Sequence, residues 1–170
     1  VESDKQRVAA TESIHDVSRT PRSVIRVIGS AGLGKTRLVF EAFRPPPDPA
    51  AEPNKAAFSS LYCYLSASAI DKVEQVVIDW RRQNRFGVIV VDDCPFELHE
   101  KLRLEVTRGD SRLALITIGN DRDTGAYAGT DTKLVFVQPT TDDAISALLA
   151  TEFADLREEE IGRASCRERV

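Results

Sequence analysis

The chain has 170 residues, 42% of them hydrophobic and 29% charged, which is enough to bury one core and too apolar for a disordered or collagen-like chain. No apolar run approaches the roughly 18 residues that a membrane span needs. Lys plus Arg number 23 against 27 Asp plus Glu, a net charge of −4, which argues against nucleic acid or any partner held by a general basic field.

Cys63, Cys94 and Cys166 are odd in number and lack CxxC spacing, so they point to neither a disulfide framework nor a zinc site and fit a reducing cytoplasm. Methionine is absent even at position 1, so a chain opening Val1-Glu2-Ser3 is expected to be processed or to be a piece of something longer.

Residues 4–18 read as a polar, weakly amphipathic helix closed by Pro21. Ser23 to Ile28 (SVIRVI) is a β-branched strand that runs into the glycine-rich stretch Gly29 to Gly34, and Arg37 to Phe43 is helical. Arg44 to Pro53 holds five of the eight prolines and is expected to be a surface connection. Ala57 to Leu65 reads as a second strand. Asp71 to Arg82 is a helix, with Val73, Val76, Val77 and Trp80 at i, i+3, i+4 and i+7.

Gly87 to Val91 (GVIVV) has the continuous β-branched pattern of a strand buried on both faces of a parallel sheet, and it ends in Asp92-Asp93. Glu97 to Arg108 is helical, with Leu98, Leu102 and Val106 on one stripe. Strands follow at Arg112 to Ile118 and Lys133 to Val137, separated by the loop Gly119 to Thr132. A last helix starts at Thr141, with Asp142 and Asp143 in its first turn and Ile145, Leu148, Leu149 and Phe153 as its apolar stripe. Five strands alternating with helices predict a three-layer α/β fold with a mainly parallel five-stranded sheet.

Gly29-Ser30-Ala31-Gly32-Leu33-Gly34-Lys35-Thr36 matches G-x-x-x-x-G-K-[ST] at every fixed position, between a strand and a helix. A loop of that length turns successive backbone N–H groups toward a phosphate, and the following helix adds the positive end of its dipole. The nucleotide-binding segment is therefore expected to run from Gly29 to Arg37. Lys35 is expected at the β- and γ-phosphates and Thr36 on Mg²⁺.

The apolar strand before Asp92 reads as a Walker B strand, with Asp92 beside Thr36 at the metal. Asp93 stands where a carboxylate can orient or deprotonate the attacking water; the alternative is a helix N-cap acid. At the end of the fourth strand Asn120, ahead of Thr117, is the candidate for contact with the γ-phosphate or the water, the alternative being a Gly-Asn turn. Arg122 is either a charge-neutralising finger or a solvated loop residue. His15 and His99 stand on helices with no partner at ligand spacing, and no cysteine or serine sits in a nucleophile context.

The runs VIRVIGSAGLGKTRLVFEAF (Val24 to Phe43), VIVVDDCP (Val88 to Pro95), SRLALITIGN (Ser111 to Asn120) and LVFVQPTTDDAISALL (Leu134 to Leu149) together resemble the STAND class of P-loop NTPases. This is the AAA+-related branch that includes NACHT and NB-ARC domains, and the resemblance, over about Ser23 to Asp155, is to one of its less characterised branches. It implies the sheet order 5-1-4-3-2 and ATP and ADP as ligands, with ATP favouring self-association and ADP a closed state. It also implies effector and sensor domains elsewhere in a longer chain.

On that reading residues 1–22 are a helical lead-in, 23–140 the P-loop NTPase core and 141–159 the start of a helical lid. Glu160 to Val170 back-translates to a frame containing AGATCGGAAGAGC, which resembles a widely used sequencing adapter, so 160–170 are expected not to be native. The function expected is a slow ATP-hydrolysing switch with Mg²⁺. The alternatives are a non-hydrolysing nucleotide-binding module, an AAA+ or ABC-type motor fragment, against which the absence of an LSGGQ-like run speaks, and a small-molecule kinase.

Overall fold

The computed structural model describes residues 2–45, 47–48, 50–51, 62–120, 127 and 130–138. The chain divides into two units, Gln6–Gln138 and a second made of Val1–Lys5 with Pro139–Val170. Of the second only the helical residues 2–5 are described, so the expected lid helix and the adapter-like tail lie outside the described residues, as does Arg122 of the first.

In chain order the elements are α1 (Glu2–Ser18), β1 (Val24–Ile28), α2 (Lys35–Ala42), β2 (Tyr62–Ser66), a short 3₁₀ turn (Ala67–Ala69), α3 (Ile70–Arg82), β3 (Phe86–Asp92), α4 (Phe96–Val106), β4 (Arg112–Gly119) and β5 (Thr132–Phe136). The five strands form one sheet in the order β2-β3-β4-β1-β5, and every pairing is parallel. Read from the other edge, this is the expected 5-1-4-3-2 order and the expected α/β class. The second strand is described only from Tyr62; residues 57–61 of the expected span lie outside the described residues. Helix α2 starts at Lys35, two residues earlier than its apolar pattern begins.

Parallel strands need cover on both faces, and side-chain alternation supplies two apolar surfaces. Ile25, Val27, Val88, Val90, Ile116 and Ile118 pack with Ile14 of α1 and Leu38, Val39 and Phe43 at α2. On the other face Val24, Ile89, Val91, Leu113 and Leu115 pack with Val73 and Val77 of α3 and Leu98, Leu102 and Val106 of α4. That makes three layers. Val76 and Trp80 are only half-buried, so the α3 stripe is narrower than its spacing predicts. Both histidines have structural partners: His15 Nε2 donates to the Ala42 carbonyl at 2.8 Å, fastening α1 to the end of α2, and His99 is buried under β4. Asn84 ends α3 in the left-handed conformation that its short polar side chain tolerates. Among the described residues no helix is long and apolar enough to cross a membrane.

Phe43 closes the core beneath α2. It is fully buried, and its ring stacks on Tyr62 with centroids 4.7 Å apart. Phe43→Ala is expected to cost about 3–5 kcal/mol of stability, read as a lower urea midpoint at unchanged slope; a loss under about 1 kcal/mol would mean that the core collapses onto the vacancy.

Candidate phosphate-binding site

β1 delivers the chain to the C-terminal edge of the sheet, and the glycine-rich loop begins there. A Cβ on Gly29 would stand 2.6 Å from the Val137 carbonyl oxygen, so no side chain fits. The same stretch is held in place by Val137 N–H donating to the Ile28 carbonyl at 2.9 Å. Gly34, just ahead of α2, has φ 78°, which glycine adopts without strain. No side chain caps α2, so the first-turn amides of this helix are not bonded by a cap side chain and face the loop with the positive end of the dipole.

Lys35 is 8% exposed. Its ammonium donates to the Gly29 carbonyl at 2.9 Å, the Ser30 carbonyl at 2.8 Å and Asn120 Oδ1 at 2.7 Å. All three of its donors are engaged. Two bonds arch the loop over the ammonium. The third brings the end of β4 to it across 85 residues of sequence.

Asp92, also 8% exposed, ends β3. Its Oδ2 accepts from Thr36 Oγ1 at 2.9 Å and from the Tyr64 hydroxyl, and its Oδ1 accepts the Asp93 N–H at 2.9 Å. Burial of the hydroxyl first, then its bond to Asp92 and the charges of Asp92 and Asp93, push Tyr64 far above the ordinary tyrosine range, although 48% of the residue's surface faces solvent. Thr36 and Asp92 present hard oxygen donors side by side. That set fits a small divalent cation such as Mg²⁺, which takes one or two protein oxygens and fills its remaining positions with water and phosphate. Among the described residues no group of three or more His, Cys, Asp or Glu forms a metal cage.

Asp93 is exposed and sits in the left-handed region at φ 50°. It does not cap α4: the N-cap is Pro95, in extended conformation, without a side-chain cap bond. Asp93 is therefore not the N-cap acid that the alternative reading expects, and it directly follows Asp92 at the end of β3. Thr117, the other polar candidate on β4, turns into the core, where it bonds His99 Nδ1 at 2.8 Å. The side chain of Arg37 pairs with Glu41 along α2, away from the lysine cluster. Ser30 and Ala31 are exposed on the loop and Leu33 packs against the core. No local motif marks Tyr64; its signal is a tyrosine near the end of a strand that pairs with the acidic one.

The sequence matches no family model and no curated protein. Solved structures do resemble the chain. It is similar to Rhizobiales Trip13 with a TM-score of 0.45 and 15% identity, over 68% of this chain and 45% of that one. It is also similar to a chain of the E. coli MS115-1 HORMA:CdnC:Trip13 complex, with a TM-score of 0.47 and 12% identity, over 77% of this chain and 49% of that one. The chain thus spans less than half the length of either.

Folding raises the Tyr64 pKa, so the folded state binds that proton more tightly than the unfolded chain. The stability this contributes is complete below the unfolded value of about 10 and is lost as pH rises above it. Tyr64→Phe is expected to flatten the alkaline fall of Tm. Identical slopes in the two proteins would show that the hydroxyl is not held by Asp92.

Proposed function

We propose that this domain binds ATP with Mg²⁺ and hydrolyses it slowly, as the switch of a larger STAND-type signalling or defence protein. The observation that carries the reading is the convergence of Lys35, Thr36, Asp92 and Asn120, from three separate segments, within hydrogen-bond distance at the C-terminal edge of a parallel sheet. Nucleotide phosphates are the ligand such an edge suits. Backbone amides from Gly29 to Arg37 surround the anion, and Lys35 exchanges a protein oxygen for a phosphate oxygen without leaving a donor unsatisfied.

In this reading Thr36 and Asp92 hold the metal, which neutralises charge on the phosphate oxygens. Asn120 contacts the γ-phosphate or the attacking water, and the exposed Asp93 carboxylate orients that water or takes its proton. Phosphoryl transfer asks a protein mainly for positioning and charge neutralisation, both of which this set can supply. The resemblance of the sequence runs supports ATP over GTP, an ATP-favoured self-associating state with an ADP-bound closed one, and effector and sensor domains in cis. A reducing cytoplasm goes with it, and Cys63 is a free thiol.

Lys35→Ala is expected to cost at least about 3 kcal/mol of ATP binding, more than a hundredfold, so that calorimetry detects no binding while the thermal melt stays cooperative. Unchanged affinity would refute the phosphate-loop assignment. Asp93→Asn is expected to slow ATP turnover by about a hundredfold or more. Equal, near-zero rates in both proteins would select the non-hydrolysing module instead.

A further inference from the structure

We infer that Arg26, on the reading just given, is the positioning residue that sets the acidic turn Asp92-Asp93-Cys94 against the phosphate loop. Arg26 lies in the middle of β1, paired with Thr117 of β4 on one side and Leu134 of β5 on the other, and it is 0% exposed. On the same sheet face Val24 and Leu115 are apolar, while its register partner Thr117 is polar and already bonded to His99. A valine or isoleucine would satisfy the strand there, whereas taking a guanidinium out of water costs several kcal/mol unless it is paired and hydrogen-bonded. A residue that breaks the local rule so expensively is where function is expected.

Its bonds say which function. Nη2 donates to the Cys94 carbonyl at 2.7 Å, and the Cys94 amide donates to the Ile118 carbonyl at 2.8 Å. The peptide groups on either side of Cys94 are thereby fixed to β1 and to β4. Asp93, immediately before, holds φ 50°, a left-handed turn that a short polar side chain tolerates and that the two bonds on Cys94 brace. On the other side Nε donates to the Tyr127 hydroxyl at 3.0 Å. The Tyr127 ring meets Phe96 and His99 of α4 edge-on, at 5.3 Å and 5.5 Å. One rigid guanidinium fork therefore holds the acidic turn by a directed bond while its plane is fixed by an aromatic cluster on the helix that follows the turn.

Two residues after Arg26 the same strand ends and the phosphate loop begins. Arg26 thus sets the spacing between the segment that carries Lys35 and Thr36 and the segment that carries Asp92 and Asp93. Lysine keeps the charge but lacks the fork, so it cannot make both bonds at the required angle.

The test is ATP affinity measured with a fluorescent ATP analogue in chelator and across a Mg²⁺ titration, for wild type, Arg26→Lys, Arg26→Met and Tyr127→Phe. Groups that orient a metal ligand without touching the metal typically contribute ten- to a hundredfold in metal affinity, so Arg26→Met is expected to raise the half-saturating Mg²⁺ by about tenfold or more. Arg26→Lys and Tyr127→Phe are expected to shift it in the same direction by less, and affinity in chelator is expected to stay within about twofold of wild type. A merely structural arginine would lower Tm and both affinities together. If Arg26→Met does not fold, the two milder variants carry the test, and a Mg²⁺ requirement unchanged in both overturns the role of Arg26. A wild-type protein that binds no analogue overturns the nucleotide reading itself, and one that binds it with no gain from Mg²⁺ overturns the placement of the metal together with the inference.

Discussion

β4 lies between β1 and β3, and the geometry of the site follows from that insertion. The segments leaving β1 and β3 at the same sheet edge are held one strand apart, which opens a crevice where loops diverge. The Thr36 to Asp92 bond spans the crevice at 2.9 Å, and the Lys35 to Asn120 bond joins its wall to the intervening strand at 2.7 Å. Adjacent β1 and β3 would leave no strand end between them, and Asn120 could not stand beside the lysine.

The two buried charges of the crevice are satisfied by the protein alone. Lys35 has three oxygens and Asp92 has three donors, so neither charge is stranded at 8% exposure. On the proposed reading a phosphate ligand would enter by exchange. Its oxygen would take the place of an oxygen that already bonds the ammonium, and the net gain would come from the added anion charge and the open amides of α2 rather than from rescuing an orphaned lysine. The exchangeable partner would be Asn120. It is exposed at the end of β4, whereas the Gly29 and Ser30 carbonyls belong to the loop that wraps the ammonium.

Much of this was legible in the chain because it depends on local pattern. The continuous apolar runs of β3 and β4, the strand-loop-helix around Gly29 to Thr36, and the α4 stripe of Leu98, Leu102 and Val106 are each set by neighbours in sequence. What was not legible depends on pairs distant in sequence. Arg26 in VIRVI reads like any polar position of an alternating strand, and only the packing of α4 and Tyr127 beneath it shows that the position is sealed. Tyr64 reads as one aromatic in a strand until β2 pairs with β3 and its hydroxyl meets Asp92. For Asp93 the sequence leaves a water-orienting carboxylate and a helix cap both open, and only the backbone shows that Pro95 takes the extended cap position while Asp93 sits in a left-handed turn.

Helix α4 ties the acidic turn to the rest of the scaffold. Its N-terminal end is held through the Cys94 carbonyl and the aromatic cluster around Tyr127. Near its C-terminal end Arg81 of α3, 10% exposed, bonds Glu105 at 3.2 Å and Asp110 at 2.6 Å. Exposed ion pairs contribute little, but a sheltered arginine with two carboxylates in place restrains the helix against sliding. With Leu98, Leu102 and Val106 buried against the sheet between those ends, α4 is a strut fixed at both ends. The Asp92 carboxylate and the Asp93 backbone thus stand on a segment braced by packing that extends to the far end of the helix.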